Sequence, residues 1–217
     1  MMKNFFGTDF DGKRIVVKEG DALNLGKHVL NFVAAPMVHW PETMVTWLEE
    51  EGTLFSGDAF GTFGAADEAV VDDEDTFEEY RDEMIRYYSN IVGKYGGPVQ
   101  QLLQKTSGLE IRQICPLHGP IWRKDLGAIV EKYQQWSTYT PEENSVVIAY
   151  ASIYGNTELA CQALANTLSD KGVRDVKLMD LSREHPSYVI AEAFRRSHLV
   201  LASVTYNSGL FPDMEHF

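Results

Sequence analysis

The sequence predicts an α/β protein in two successive parts: mixed α and β first, then a doubly wound parallel sheet. Three observations carry this. Short apolar runs separated by turns fill residues 14–60. Phe77, Tyr80, Met84, Tyr87, Tyr88 and Ile91 then recur at helical spacing. From Ser145 the rhythm changes to a continuous apolar run, Ser145-Val146-Val147-Ile148-Ala149-Tyr150, followed by alternating helix and strand, as expected of parallel strands buried on both faces.

The elements follow in order. Arg14–Lys18 is strand-like, and Val29–Val33 and Met44–Leu48 are rich in β-formers. Gly52–Asp58 reads as a strand ending at a carboxylate, and the acidic stretch 67–76 as a solvated loop. A helix is predicted over 76–92, broken by Gly96-Gly97-Pro98, with another starting at 98–106. Ile111–Pro116 is a strand and 124–137 a helix, and Thr140–Asn144 is a polar linker that divides a first part, 1–140, from a second, 145–217. The second part reads as a strand, a helix at 157–171, a strand at 173–179, a helix near 187–196 and a strand at 198–204. Both ends read as cut: the first strand has no element before it, and the last residues look like the opening turn of a new helix.

Composition bounds the function. A chain of 217 residues with 44% hydrophobic and 12% aromatic residues can build a core. The net charge of −13 repels phosphate backbones and anionic lipid, which argues against nucleic-acid and membrane partners. No apolar run reaches the roughly 20 residues of a spanning helix. The first residues lack a signal-peptide pattern, and two cysteines fit a reducing, cytoplasmic setting.

His39, Asp58 and His118 each follow a strand-like segment. Imidazole and carboxylate suit zinc or non-haem iron, and one carboxylate can bridge two cations. The spacing alone fits equally three hydrogen-bonded structural residues.

A second constellation is Ala151-Ser152-Ile153-Tyr154-Gly155-Asn156-Thr157-Glu158, between a buried strand and a helix. The hydroxyls of Ser152 and Thr157, with N–H groups freed by Gly155, can cradle a phosphate at the positive helix end, and Asn156 tolerates a left-handed turn; the plainer alternative is a strand-to-helix turn capped by Thr157. The loop lacks the Gly-x-Gly-x-x-Gly pattern of dinucleotide binders. After the third strand comes Thr205-Tyr206-Asn207-Ser208-Gly209-Leu210-Phe211-Pro212. In a 2-1-3-4-5 sheet both loops leave the carboxyl ends of neighbouring strands, so they can converge on one ligand. Thr205, Asn207 and Gly209 offer hydrogen bonds to a flavin edge, and Tyr206 can pack on the ring or in the core.

The blocks Ala35-Pro36-Met37-Val38-His39-Trp40-Pro41-Glu42, Ser56-Gly57-Asp58-Ala59-Phe60-Gly61 and Pro116-Leu117-His118-Gly119-Pro120-Ile121-Trp122-Arg123 resemble the second half of the metallo-β-lactamase-like domain of flavodiiron proteins. The loop around Asn207 is similar to that of their FMN-binding domain. The resemblance implies the back half of an αββα domain followed by a partial flavodoxin-like domain. It implies a non-haem diiron centre in which His39 binds one iron, Asp58 bridges and His118 binds the other. The family's H-x-E-x-D-H motif has no counterpart before His28. It implies FMN, bound by Ser152, Tyr154, Gly155, Asn156, Thr157, Thr205, Tyr206, Asn207 and Gly209. It further implies reduction of O2 to water or NO to N2O, a rubredoxin-like or flavin-reductase donor, and a head-to-tail homodimer. A zinc-dependent hydrolase with an appended flavodoxin module, and a flavin-binding module or inert fragment, stay open.

Among the remaining residues, Cys115 and Cys161 are expected to be buried thiols, and His28, His185, His198 and His216 to be structural or exposed. Trp40 and Trp122 are expected to pack as a dry shell around the ligands. Glu42 has no assigned role.

Overall fold

A computed structural model describes residues 2–65 and 76–217. The acidic stretch 67–76 lies, apart from Thr76, outside the described residues. The chain opens with a short helix α1 (Met2–Phe6) and then builds a five-stranded sheet from β1 (Ala22–Asn24), β2 (Val29–Ala34), β3 (Met44–Leu48), β4 (Thr53–Gly57) and, later, β5 (Gln113–Pro116). The strands lie in sequence order. The first four alternate in direction, and β4 and β5 run parallel. The parallel pair requires a crossover, which the helices between β4 and β5 supply.

Those helices are α2 (Thr76–Tyr87) and α3 (Gly96–Thr106). The periodic stretch is helical as expected, but α2 stops at Tyr87. A π-helical turn, Tyr88–Val92, and a 3₁₀ turn, Gly93–Tyr95, carry the chain on. Gly96 and Gly97 open α3 rather than break a helix. The reason at Gly96 is space: a Cβ there would collide with the Ser137 carbonyl oxygen. Helix α4 (Leu126–Ser137) follows β5. The core of this part gathers Trp122, Trp136, Tyr88 and Tyr133 with Leu54, Met84, Ile114 and Ile129. Arg14–Lys18 is not a strand. Ile15 and Val16 are exposed, and the ladder begins only after a turn in which Asp21 Oδ2 accepts the Lys18 N–H at 2.9 Å.

The second sheet holds β6 (Glu143–Ala151), β7 (Val176–Asp180) and β8 (Arg196–Ser203), all parallel, in the order β7-β6-β8. This is the 2-1-3 start of a doubly wound sheet. Central β6 is buried from Ser145 to Ala151, hence its unbroken apolar run. Helix α5 (Asn156–Asp170) covers one face through Cys161 and Ala165, and α6 (Pro186–Arg195) covers the other through Val189. A two-residue hairpin, β9 (Thr205–Tyr206) and β10 (Gly209–Leu210), and a short α7 (Pro212–His216) follow. Strand β8 is an edge, with Leu199 and Leu201 exposed.

The two parts meet where α6 lies on α2 and the π-helical turn. Phe194 packs between Tyr88 and Tyr139, with ring centroids 5.7 and 6.1 Å away. Glu142, whose side chain is 3% exposed, ties the seam together. It accepts from Lys132 at 2.6 Å and Trp136 at 3.1 Å on α4, and pairs with Arg81 at 3.4 Å on α2 and Arg195 at 3.5 Å on α6.

Candidate metal and flavin sites

All three metal-type side chains stand at one edge of the first sheet. His39 lies in the loop between β2 and β3, and Asp58 and His118 follow the ends of the parallel strands β4 and β5. Backbone hydrogen bonds fold each loop. Met37 N–H reaches the Trp40 carbonyl at 2.7 Å, which loops the chain around His39. Leu117 N–H reaches the Gly57 carbonyl at 2.8 Å and Thr62 N–H the His118 carbonyl at 3.2 Å, so the Asp58 and His118 loops are stitched together. Gly61 is where they touch: a Cβ there would lie 3.1 and 3.2 Å from the Asp58 and His118 carbonyl oxygens.

The side chains converge. His39 Nε2 lies 3.2 Å from Asp58 Oδ2, and His118 Nε2 lies 3.4 Å from Asp58 Oδ1. Each imidazole faces a different oxygen of one carboxylate. Among the described residues no group of three or more His, Cys, Asp and Glu side chains is placed to hold a metal ion. The arrangement is two nitrogen–oxygen pairs sharing Asp58, and its imidazole and carboxylate donors are of the kind that zinc and non-haem iron take.

The support beneath this set was not legible in the sequence. Phe60, at φ +65°, donates its N–H to the buried Tyr133 hydroxyl at 2.6 Å, and its carbonyl accepts Trp122 Nε1 at 2.8 Å. These bonds, from α4 and from the segment after β5, fix the turn that carries Asp58. Tyr87 packs on His118, with ring centroids 5.7 Å apart. Burial and the charge of Asp58 push its hydroxyl far above the ordinary tyrosine range. Trp122 is buried as expected, but Trp40 is 61% exposed, so the dry-shell expectation fails there: its ring leans on His39 and is open to solvent. Cys161 is buried and Cys115 half-buried, and burial raises both thiols above their ordinary range.

At the second sheet the two loops leave neighbouring strand ends, because Ala151 of β6 pairs with Ser203 of β8. Gly155 sits at φ +83° as the N-cap of α5, with open space where a Cβ would be. Having no side chain, it leaves the first N–H groups of α5 to an outside acceptor. Ser152 Oγ accepts the Gly155 N–H at 3.1 Å and so shapes the loop. Thr157 is not the cap; it lies within the first turn, after Asn156. The left-handed residue is Gly155, not Asn156. Tyr154 is strongly exposed. In the other loop Asn207 (φ +48°) and Ser208 (φ +64°) form the tight two-residue turn of the β9–β10 hairpin, with Asn, which tolerates left-handed backbone, at its first position. Tyr206 is exposed and meets Phe211 edge-on at 5.9 Å, so it is not a core residue.

The family model described as ODP family beta lactamase matches residues 2–119. The chain belongs to the ODP family of β-lactamase-like proteins. This ODP chain is 36% identical over 207 residues to the nitric oxide reductase of Moorella thermoacetica, covering 94% of this chain and 51% of that one. It is 35% identical over 201 residues to the rubredoxin-oxygen oxidoreductase of Megalodesulfovibrio gigas, covering 91% and 49%. The ODP chain therefore spans about half the length of the curated relatives it matches. Among solved structures, the rubredoxin oxygen:oxidoreductase from Desulfovibrio gigas superposes with a TM-score of 0.91 at 33% identity, over 99% of this chain and 54% of that one. The flavodiiron protein from Giardia intestinalis does so at 0.88 and 27%, over 93% and 49%. The fold of this ODP chain is thus that of a stretch of a flavodiiron protein, as the motifs implied.

Proposed function

We propose that this chain is part of a flavodiiron oxidoreductase that reduces O2 to water or NO to N2O with electrons delivered through FMN. The observation that carries the reading is the placement of His39 and His118 on the two oxygens of one carboxylate, in a chain whose second sheet opens two loops at adjacent strand ends. The names of the Moorella and Megalodesulfovibrio relatives support the two gases and a rubredoxin-type donor; a flavin reductase is the other donor class. The cysteine usage fits action in the cytoplasm.

When bound, the iron pair would supply a redox-active place for the gas and FMN the supply of electrons. His39 and His118 would each hold one iron by Nε2, with Asp58 spanning the two. The stitched loops keep those three donors in register, and the bonds to Phe60 keep Asp58 from turning away. The first turn of α5, with the hydroxyls of Ser152 and Thr157 and the loop residues Tyr154, Gly155 and Asn156, would receive the FMN phosphate. Thr205, Asn207 and Gly209 would hold the ring edge, with Tyr206 packed against it. Two copies arranged head to tail would bring one copy's flavin loops to the other's metal-type pair.

Anaerobic titration tests the two halves separately. FMN fluorescence is expected to be quenched by the chain and less so by Thr157→Val. Fe(II) uptake is expected to weaken in Asp58→Asn. No quenching by the chain overturns the flavin assignment, and equal uptake by Asp58→Asn overturns the bridge. In a chain that also carries the family's remaining ligands, loaded and reduced, failure to consume either gas overturns the reductase reading.

A further inference from the structure

One imidazole organises the start of α6, where its first turn meets α2. His185 is the N-cap of α6, and its Nδ1 accepts the Ser187 N–H at 3.2 Å. The same Nδ1 lies 2.8 Å from Ser187 Oγ. That oxygen accepts Arg86 Nε from α2 at 2.8 Å, and the Arg86 guanidinium lies 3.8 Å from the centroid of the Tyr188 ring. The Ser187 carbonyl accepts Asn90 Nδ2 from the π-helical turn at 3.0 Å. A backbone N–H can only donate, so Nδ1 must carry no proton for this arrangement to exist.

We propose that His185 is a pH-sensitive latch that holds the first turn of α6 against α2 when its ring is neutral and releases that turn when the ring is protonated. The added proton comes from solvent and sits on Nδ1, turning the acceptor into a donor. The Ser187 N–H then faces another N–H and loses its cap. Ser187 Oγ is left between two cations, the imidazolium and the Arg86 guanidinium.

Charged groups face His185 from several elements. From α2 the facing charges are Arg86 and Glu83, paired at 2.9 Å. From α7, Asp213 and His216 line the same cavity of about 440 Å³ as His185. On the preceding turn stand Glu184 and Arg183, the latter paired with Asp180 at 3.2 Å. From the π-helical turn the neighbour is the uncharged Asn90. Because α2 ends at Tyr87, which packs on His118, the latch joins the flavin-loop edge of one sheet to the metal-type pair of the other. The proposal needs neither cofactor to be bound.

The test is hydrogen exchange on the whole chain, read as protection factors for the Ser187 N–H and the Arg86 Nε–H. Both are expected to fall about fivefold between about pH 7.5 and pH 5. His185→Asn caps the helix without ionising, so its protection factors are expected to stay flat over that range. In Ser187→Ala the response at Arg86 is expected to vanish while the later amides of α6 stay protected. A flat profile in the wild type, or an undiminished fall in His185→Asn, overturns the latch.

Discussion

Ala151 and Ser203 stand side by side at the carboxyl ends of two parallel strands, and each is the last strand residue before a loop. That register, more than any side chain, brings the loop at Gly155 beside the loop at Asn207. Gly155→Ala adds no clash, since nothing lies near the new Cβ, but forces an L-residue to φ +83°. A loss of about 1–2 kcal/mol is expected for that conformation. If the loop holds the FMN phosphate, affinity is expected to fall about tenfold, read by flavin fluorescence, since about 1.4 kcal/mol is a factor of ten.

Tyr133→Phe isolates the support under Asp58. The ring is kept, and only the acceptor for the Phe60 N–H is lost. An orphaned buried donor costs about 1–3 kcal/mol, and urea unfolding is expected to show a loss in that range. Fe(II) uptake is expected to weaken as well, because Phe60 lies two residues from Asp58 in the same turn.

Glu142 gives the acid limb of stability. Burial pushes its carboxyl up, but Lys132, Arg81 and the Trp136 N–H outweigh burial and hold it below the ordinary glutamate value of 4.5. A carboxyl depressed in the folded state contributes stability that is fully present above its unfolded pKa and is lost as pH falls through the folded one. Below about pH 4.5 the wild type is therefore expected to lose stability more steeply than Glu142→Gln. At neutral pH that variant is expected to be about 3 kcal/mol less stable, because it leaves the surrounding cations without their buried partner. Denaturant titrations at several pH values measure both.

Among the described residues, strand β8 has one bonded neighbour, β6, and shows Leu199 and Leu201 to solvent. An exposed apolar edge templates association. The chain is expected to self-associate with rising concentration, and Leu201→Lys to suppress this, as followed by light scattering.

Much of this was legible because local pattern and burial agree. The apolar run of β6 could only be a central strand, and Gly155 between strand and helix could only be a turn. The three metal-type residues were named from their motifs, but their convergence depends on β4 and β5 pairing across more than fifty intervening residues, which no local pattern encodes. Arg14–Lys18 has strand propensity and no partner, so propensity alone misled. Trp40 misled for a similar reason: an aromatic beside a ligand suggests packing, yet its ring is mostly exposed. The π-helical turn was hidden because its apolar residues keep nearly helical spacing while the backbone widens. That widening sets Asn90 against Ser187.

Phe194 belongs by sequence to the second sheet and by contact to the aromatic cluster of the first, its ring edge 3.3 Å from the place a Cβ on Gly93 would take. A gene cut at the polar linker would thus divide a shared keystone. Neither piece would inherit a finished interior, so exchange of modules between relatives would have to carry α6 and the turn after α2 together.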